Sequence, residues 1–185
     1  MSVRHVGLTG FAIFFLGIAA AAQQPNAANP ITALIKVQAG QFGNNITRGA
    51  EEMPAEKFTF KPSPDVRTFG QLMQHVAQFN DLMCSRLSDQ QGPDVKGLKD
   101  TDGEDKLVAA VKKSFEFCTQ TIDGLDDAKL GQPFNMSLHS AGSLSGKLTR
   151  GQGLVILAED WFDHYSTEAT YLRMNRLLPP SAERK

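Results

Sequence analysis

The sequence predicts an all-α fold, a single four-helix bundle behind an N-terminal export signal. Three observations carry that prediction. Apolar residues recur at steps of three and four in four separate stretches, the period of helices that each bury one face. Strand-like alternation of any length is missing, and so are internal repeats. Polar segments punctuated by proline and glycine separate the periodic stretches, and the one at 89–103 is long for a link between antiparallel neighbours. The limits read from the residues are 1–22 for a signal peptide, 23–29 for a flexible lead, 30–180 for the bundle and 181–185 for a tail.

The opening segment carries one positive charge, Arg4, before the apolar run Val6 to Ala22, which closes on four alanines ahead of Gln23-Gln24-Pro25. That is the charged, apolar, small-residue order of a secretory signal, with the cut expected after Ala22. An uncleaved anchor is the competing reading, since the run approaches the ~20 residues that span a bilayer. The alanine cluster and the missing basic flank favour cleavage. Removal of residues 1–22 takes away Arg4 and no acid, moving the formal net charge from −1 to −2. So mild an acidity gives no reason to expect a nucleic-acid partner. No later stretch is long and apolar enough to cross a membrane. The expected mature protein is periplasmic or extracellular, has no stable membrane association after cleavage, and takes a small molecule as partner. A homodimer stays open.

The first helix is expected from Pro30, which a first helical turn tolerates, to about Met53. Its apolar positions are Ile31, Leu34, Ile35, Val37, Phe42 and Ile46, while Gly40, Gly43 and Gly49 weaken it by propensity. Lys57 to Pro64 reads as an extended connector. Ser63 and Pro64 are then expected to cap and open the second helix, which runs to about Ser88 on Phe69, Leu72, Val76, Phe79, Leu82, Met83 and Leu87. The third runs from about Glu104 to Gly124 on Leu107, Ala110, Val111, Phe115, Cys118 and Ile122, with one more turn at 126–130. Residues 133–146 are Gly/Ser-rich and read as irregular. The last helix is expected to start near Ser145 or Lys147 and to stop before Pro179-Pro180.

Cys84 and Cys118 are an even pair in a chain bound for an oxidising compartment, so a disulfide competes with two buried, unbridged thiols. Geometry ties the answer to topology. Were the second and third helices antiparallel neighbours, the two cysteines would stand ~12 Å apart along the axis at ~1.5 Å per residue, too far to bridge. Were the 89–103 segment to carry the chain back so that the helices run parallel, they would fall at similar heights. Fifteen residues at up to ~3.3 Å each can make that return.

Three histidines remain beyond the signal. His75 follows Phe69 and Leu72 at helical spacing and so faces inward, where a lone histidine is most often a hydrogen-bonded core residue. Asp160 and His164 stand four apart on the last helix and share a face, which allows them to grip one metal ion. A histidine from a facing helix would add a third ligand and leave coordination positions open, as a catalytic site requires. The competing reading of the pair is a helix-surface hydrogen bond. Asp163 is expected to point elsewhere, and Glu159 and Glu168 are candidates for supporting the site or for plain surface. His139 lies in the irregular segment, where it either closes over a site or sits on the surface. No nucleophile elbow, phosphate-cradling glycine loop, CxxC pair or basic-aromatic patch is present.

The chain resembles the DinB-like (DinB/YfiT) family of small four-helix bundles built around a metal site. The resemblance rests on Met53-Pro-Ala-Glu-Lys-Phe-Thr-Phe-Lys-Pro62, on Val66-Arg-Thr-Phe-Gly-Gln-Leu-Met-Gln-His-Val-Ala77, on Asp163-His164-Tyr165, on Tyr171-Leu172-Arg173 and on Leu178-Pro179-Pro180. It implies a long crossover between helices two and three, and a metal site made of one histidine from the second helix and an HxxxH pair on the last. His75 matches the first ligand and His164 the second histidine of the pair. Asp160 stands where the pair's first histidine is expected, a carboxylate in place of an imidazole. Ser166 and Arg176 stand where the pattern often has glycine. The implied cofactor is a divalent transition metal: zinc, nickel, manganese or iron. Members with a known activity include transferases and isomerases that use low-molecular-weight thiols, awkward partners for an exported chain. The expectation is an exported metal-binding bundle with hydrolase or transferase chemistry on an unidentified substrate. Its rival is a non-catalytic binding or stress-related bundle in which Asp160 marks a lost site.

Overall fold

The computed structural model describes residues 28–137 and 145–183. Residues 1–22, expected to be a signal peptide, most of the expected lead and His139 lie outside the described residues. Four helices form the fold: α1 (Pro30–Glu52), α2 (Phe69–Ser88), α3 (Glu104–Asp123) and α4 (Arg150–Met174). Helix α1 packs on α3 and α4, and α2 packs on the same two, so α1 and α2 sit on opposite corners of the bundle.

Side-chain pairs give the directions. Asn80 meets Ser114 and Cys84 meets Cys118, so α2 and α3 run the same way. Phe42 meets Phe162, and Gly49 abuts Glu168, so α1 runs with α4. Asn80 meets Trp161 while Arg67 meets Tyr171, which makes α2 and α4 antiparallel. Residues 89–103 link the end of α2 to the start of the parallel α3. Cys84 and Cys118 form a disulfide with Cα atoms 5.2 Å apart, and both are fully buried.

Several boundaries differ from the sequence expectation. Helix α2 opens at Phe69 rather than at Ser63-Pro64. Thr68 is its N-cap: the Thr68 hydroxyl accepts from the Gln71 amide, and the Gln71 side chain accepts from the Thr68 N–H. The N–H groups of Phe69 and Gly70 donate to the carbonyls of Phe60 and Phe58, so the connector completes the start of the helix. Thr149 and Gln152 make the same reciprocal cap at α4, which therefore begins at Arg150 and not at 145–147.

The segment expected to be irregular contains an antiparallel hairpin, β1 (Pro133–Ser137) with β2 (Ser145–Thr149), pairing Phe134 with Leu148. Phe134, Met136 and Leu148 are buried. Phe134 fits against Gly153, where an added Cβ would lie 2.8 Å from the Phe134 ring. The fold is thus a helical bundle with a small hairpin docked beside the start of α4.

Helix α1 buries a different stripe from the one its large residues suggest. Leu34 and Val37 are 55% and 66% exposed. Its buried face is Ile35, Ala39, Gly43, Ile46, Gly49 and Ala50. The small residues let α3 and α4 approach closely: a Cβ on Gly43 would lie 3.0 Å from Phe115 and one on Gly49 2.6 Å from Glu168 Oε1. Leu82 of α2 is also exposed. The start of α1 is capped from afar. The Asp127 carboxylate, on a 3-10 turn after α3, accepts from the N–H groups of Ile31 and Thr32 at 2.9 Å each, and Asn29 Oδ1 accepts from Asp127 N–H. Desolvation raises the Asp127 pKa, but these backbone donors outweigh it and hold the carboxyl below its ordinary range. At the other end, two residues of the expected tail make contacts: Arg48 pairs with Glu183, and Ser181 N–H donates to the Tyr165 hydroxyl. Among the described residues no helix is long and apolar enough to cross a membrane.

Candidate metal centre

The antiparallel packing of α2 on α4 brings His75 opposite the Asp160/His164 turn. One ligand atom from each of His75, Asp160 and His164 can be chosen so that all lie within 4.8 Å of one another. Asp160 Oδ1 is 3.8 Å from His75 Nε2 and 3.6 Å from His164 Nδ1. The two imidazoles are stacked, with centroids 4.7 Å apart and planes at 27°. His164 and Asp160 are largely enclosed and His75 is about a third exposed, so the cluster faces solvent past His75.

Hydrogen bonding prepares the donors. His164 Nδ1 lies 2.8 Å from the Asp160 carbonyl oxygen. A carbonyl only accepts, so in this arrangement the proton sits on Nδ1, the same nitrogen that lies 3.6 Å from Asp160 Oδ1, and the ring lone pair is on Nε2. Asp160 Oδ2 is buried and has no hydrogen-bond partner. A buried carboxylate oxygen is costly unless paired or coordinated, so the donor set suits a cation. Phe79 stacks on His75 at 5.9 Å and limits its tilt. Asp163 is exposed, as expected, though its Oδ2 comes within 3.6 Å of His164 Nδ1.

Beneath the cluster lies a polar network that the sequence reading does not include. Asn80, fully buried, accepts from Trp161 Nε1 at 2.6 Å and donates to Ser114 Oγ at 3.0 Å. It joins α2, α3 and α4 in one layer and anchors the residue next to Asp160. The only sequence signal is an asparagine on the inward face of α2.

Residues 42–167 match the DinB superfamily. The chain belongs to the DinB superfamily. No curated protein matches it. Among solved structures, this DinB chain is similar to a DinB-like protein from Bacillus cereus (12% identity, TM-score 0.62), covering 78% of this chain and 93% of that one. It is also similar to the DinB-like protein YjoA from Bacillus subtilis (17% identity, TM-score 0.62), covering 82% and 99%. A conserved protein from Enterococcus faecalis matches at 15% identity and TM-score 0.59, covering 78% and 96%. At such identities these likenesses speak for the fold. The His/Asp/His cluster is this DinB chain's own observation.

Of the two glutamates weighed as supporting residues, Glu159 is exposed and Glu168 is wholly buried. Both Glu168 carboxylate oxygens lack a partner, and the side chain lies against the Gly49 backbone. Burial first, and the nearby Glu52 carboxylate second, push the Glu168 carboxyl well above its ordinary range, favouring the protonated acid.

Proposed function

We propose that this is an exported DinB-superfamily protein that binds one divalent transition metal through His75, Asp160 and His164. The coordination positions left open would serve hydrolase or transferase chemistry on a small molecule. One observation carries the reading: three ligand atoms from two facing helices converge within 4.8 Å. A bound ion would act as a Lewis acid, lowering the pKa of a coordinated water or polarising a substrate group. The chain's own part is to hold His164 in the Nδ1–H tautomer, to keep Asp160 enclosed, and to leave the His75 side accessible. A carboxylate in place of one imidazole adds negative charge and favours harder ions such as manganese or iron over what two histidines and a third would select.

Export is supported by residues 1–22 and by the Cys84–Cys118 disulfide, since such bonds persist in oxidising compartments. The shared direction of α2 and α3 supports reading 89–103 as the crossover that the family resemblance implies.

The test is metal content and affinity of the whole protein by elemental analysis and calorimetry with zinc, nickel, manganese and iron, alongside Asp160→Ala and His164→Ala. One ion per chain in the wild type, lost in both variants, is expected. A wild type that takes up none of the four ions would end the ligand assignment. A loaded protein that turns over no ester, amide or thiol-transfer substrate would leave binding standing and remove the catalytic part.

A further inference from the structure

Helix α4 carries the metal cluster on one side and an open stripe on another. Val155, Glu159, Phe162, Ser166, Thr170 and Arg173 follow one another by three or four residues, and all six are exposed. At ~100° per residue they share an arc of about 80°, turned away from the side that carries Asp160 and His164. A partner on this stripe would leave the His75 side of the cluster open.

Two features separate the stripe from ordinary helix surface. Phe162 is 64% exposed, and its ring stands edge-on to the half-buried Phe42 of α1, with centroids 6.2 Å apart and planes at 88°. A large apolar side chain is thus held upright in water. The charges are also placed symmetrically. Glu159 stands seven residues before Ser166 and Arg173 seven residues after it, ~10 Å to either side along the axis. Among the described residues neither has an ion-pair partner, and Arg173 donates to the Ala169 carbonyl of its own helix. The middle of the stripe is low. Ser166 is small, and the Thr170 hydroxyl turns inward to donate to the Ser166 carbonyl at 3.0 Å.

A stripe ordered this way is complementary to its own antiparallel copy. With a two-fold axis at Ser166, Glu159 faces Arg173 of the partner subunit, and the same pair recurs across the axis. Phe162 then lies over Thr170 of the partner subunit, and the small centre permits the ~8–10 Å approach of packed helices. A parallel pair in register would instead set like charges side by side. We propose that the outer face of α4 binds a second copy of this chain, as an antiparallel two-fold pair centred on Ser166. Burial of the two Phe162 rings supplies the attraction, and the Glu159–Arg173 contacts fix direction and register. The proposal does not rest on the metal reading.

The experiment is sedimentation velocity of the whole protein over a concentration series. A reversible monomer–dimer equilibrium is expected. Phe162→Ser, at an exposed position, should weaken it by about tenfold or more, as loss of a central aromatic anchor does. Glu159→Arg and Arg173→Glu should each weaken it, because each sets like charges opposite. Mixing those two variants should restore a dimer containing one chain of each, since every facing pair is then of opposite sign. The double variant Glu159→Arg/Arg173→Glu should also return to within about threefold of wild type. A wild type that stays monomeric to roughly 100 μM, unchanged dimerisation in Phe162→Ser, or no recovery in the mixture and the double variant would each overturn the assignment.

Discussion

The Trp161 indole donates a 2.6 Å hydrogen bond to the buried Asn80 side chain, tying the α4 turn that carries Asp160 to the helix that carries His75. The cluster's geometry therefore depends on a bond one residue away from a ligand. Asn80→Ala would leave Trp161 Nε1 and Ser114 Oγ without this partner inside the core. A loss of about 2–4 kcal/mol in urea unfolding is expected, since it removes a doubly bonded buried amide. Metal affinity should fall in the same variant, measured by competition with a chelating dye.

Glu168 sets a pH dependence. Its folded pKa is raised, so the folded state keeps a proton that the unfolded chain releases above its ordinary value of about 4.3. Unfolding then releases a proton, and stability falls as pH rises from about 4.3 towards the folded pKa, with a slope of about 1.4 kcal/mol per pH unit from this group. Glu168→Gln removes that contribution and keeps the shape. Unfolding curves at successive pH values should show the variant gaining on the wild type as pH rises, and parallel curves would rule the buried acid out.

Gly49 is the counterpart of that acid. A methyl group there would lie 2.6 Å from Glu168 Oε1 and 3.1 Å from Leu172 Cδ1. Gly49→Ala raises helix propensity by about 1 kcal/mol, yet the clash should outweigh it and leave the variant about 1–3 kcal/mol less stable. Combining it with Glu168→Ala should recover part of the loss, a coupling readable from a double-mutant cycle.

The buried disulfide fastens two parallel helices. Replacing Cys84 and Cys118 by alanine should lower stability by about 2–4 kcal/mol, the usual worth of a bond closing a loop of this order. Thiol titration of the denatured, unreduced protein should find no free thiol. Two free thiols would contradict the bridge.

The parts of the fold legible in the sequence are those where large residues face the core. Helices α2 and α3 show their period through Phe69, Leu72, Val76, Leu107, Val111 and Phe115, and α3 begins where expected. Helix α1 reads less well because glycine and alanine form its contact face, while Leu34 and Val37 point to solvent. The start of α2 is displaced because Ser63-Pro64 imitates a helix opening; residues 63–66 make a turn, and Thr68 with Gln71 makes the cap. The hairpin is missed because each strand is only five residues long, too short to show alternation. At the site, spacing pairs Asp160 with His164, but joining His75 requires knowing that α2 faces α4. The complete burial of Glu168, a candidate only for supporting the site or for plain surface, is not legible because a glutamate is read as solvated unless a partner is seen, and its carboxylate oxygens have no hydrogen-bond partner.

The carboxylate that completes the first turn of α1 belongs to Asp127, 96 residues beyond Ile31. Synthesis runs from the N-terminus, so α1 emerges long before the residue that ends its frayed start. The cap on its opening turn is complete only once the turn after α3 has docked against it.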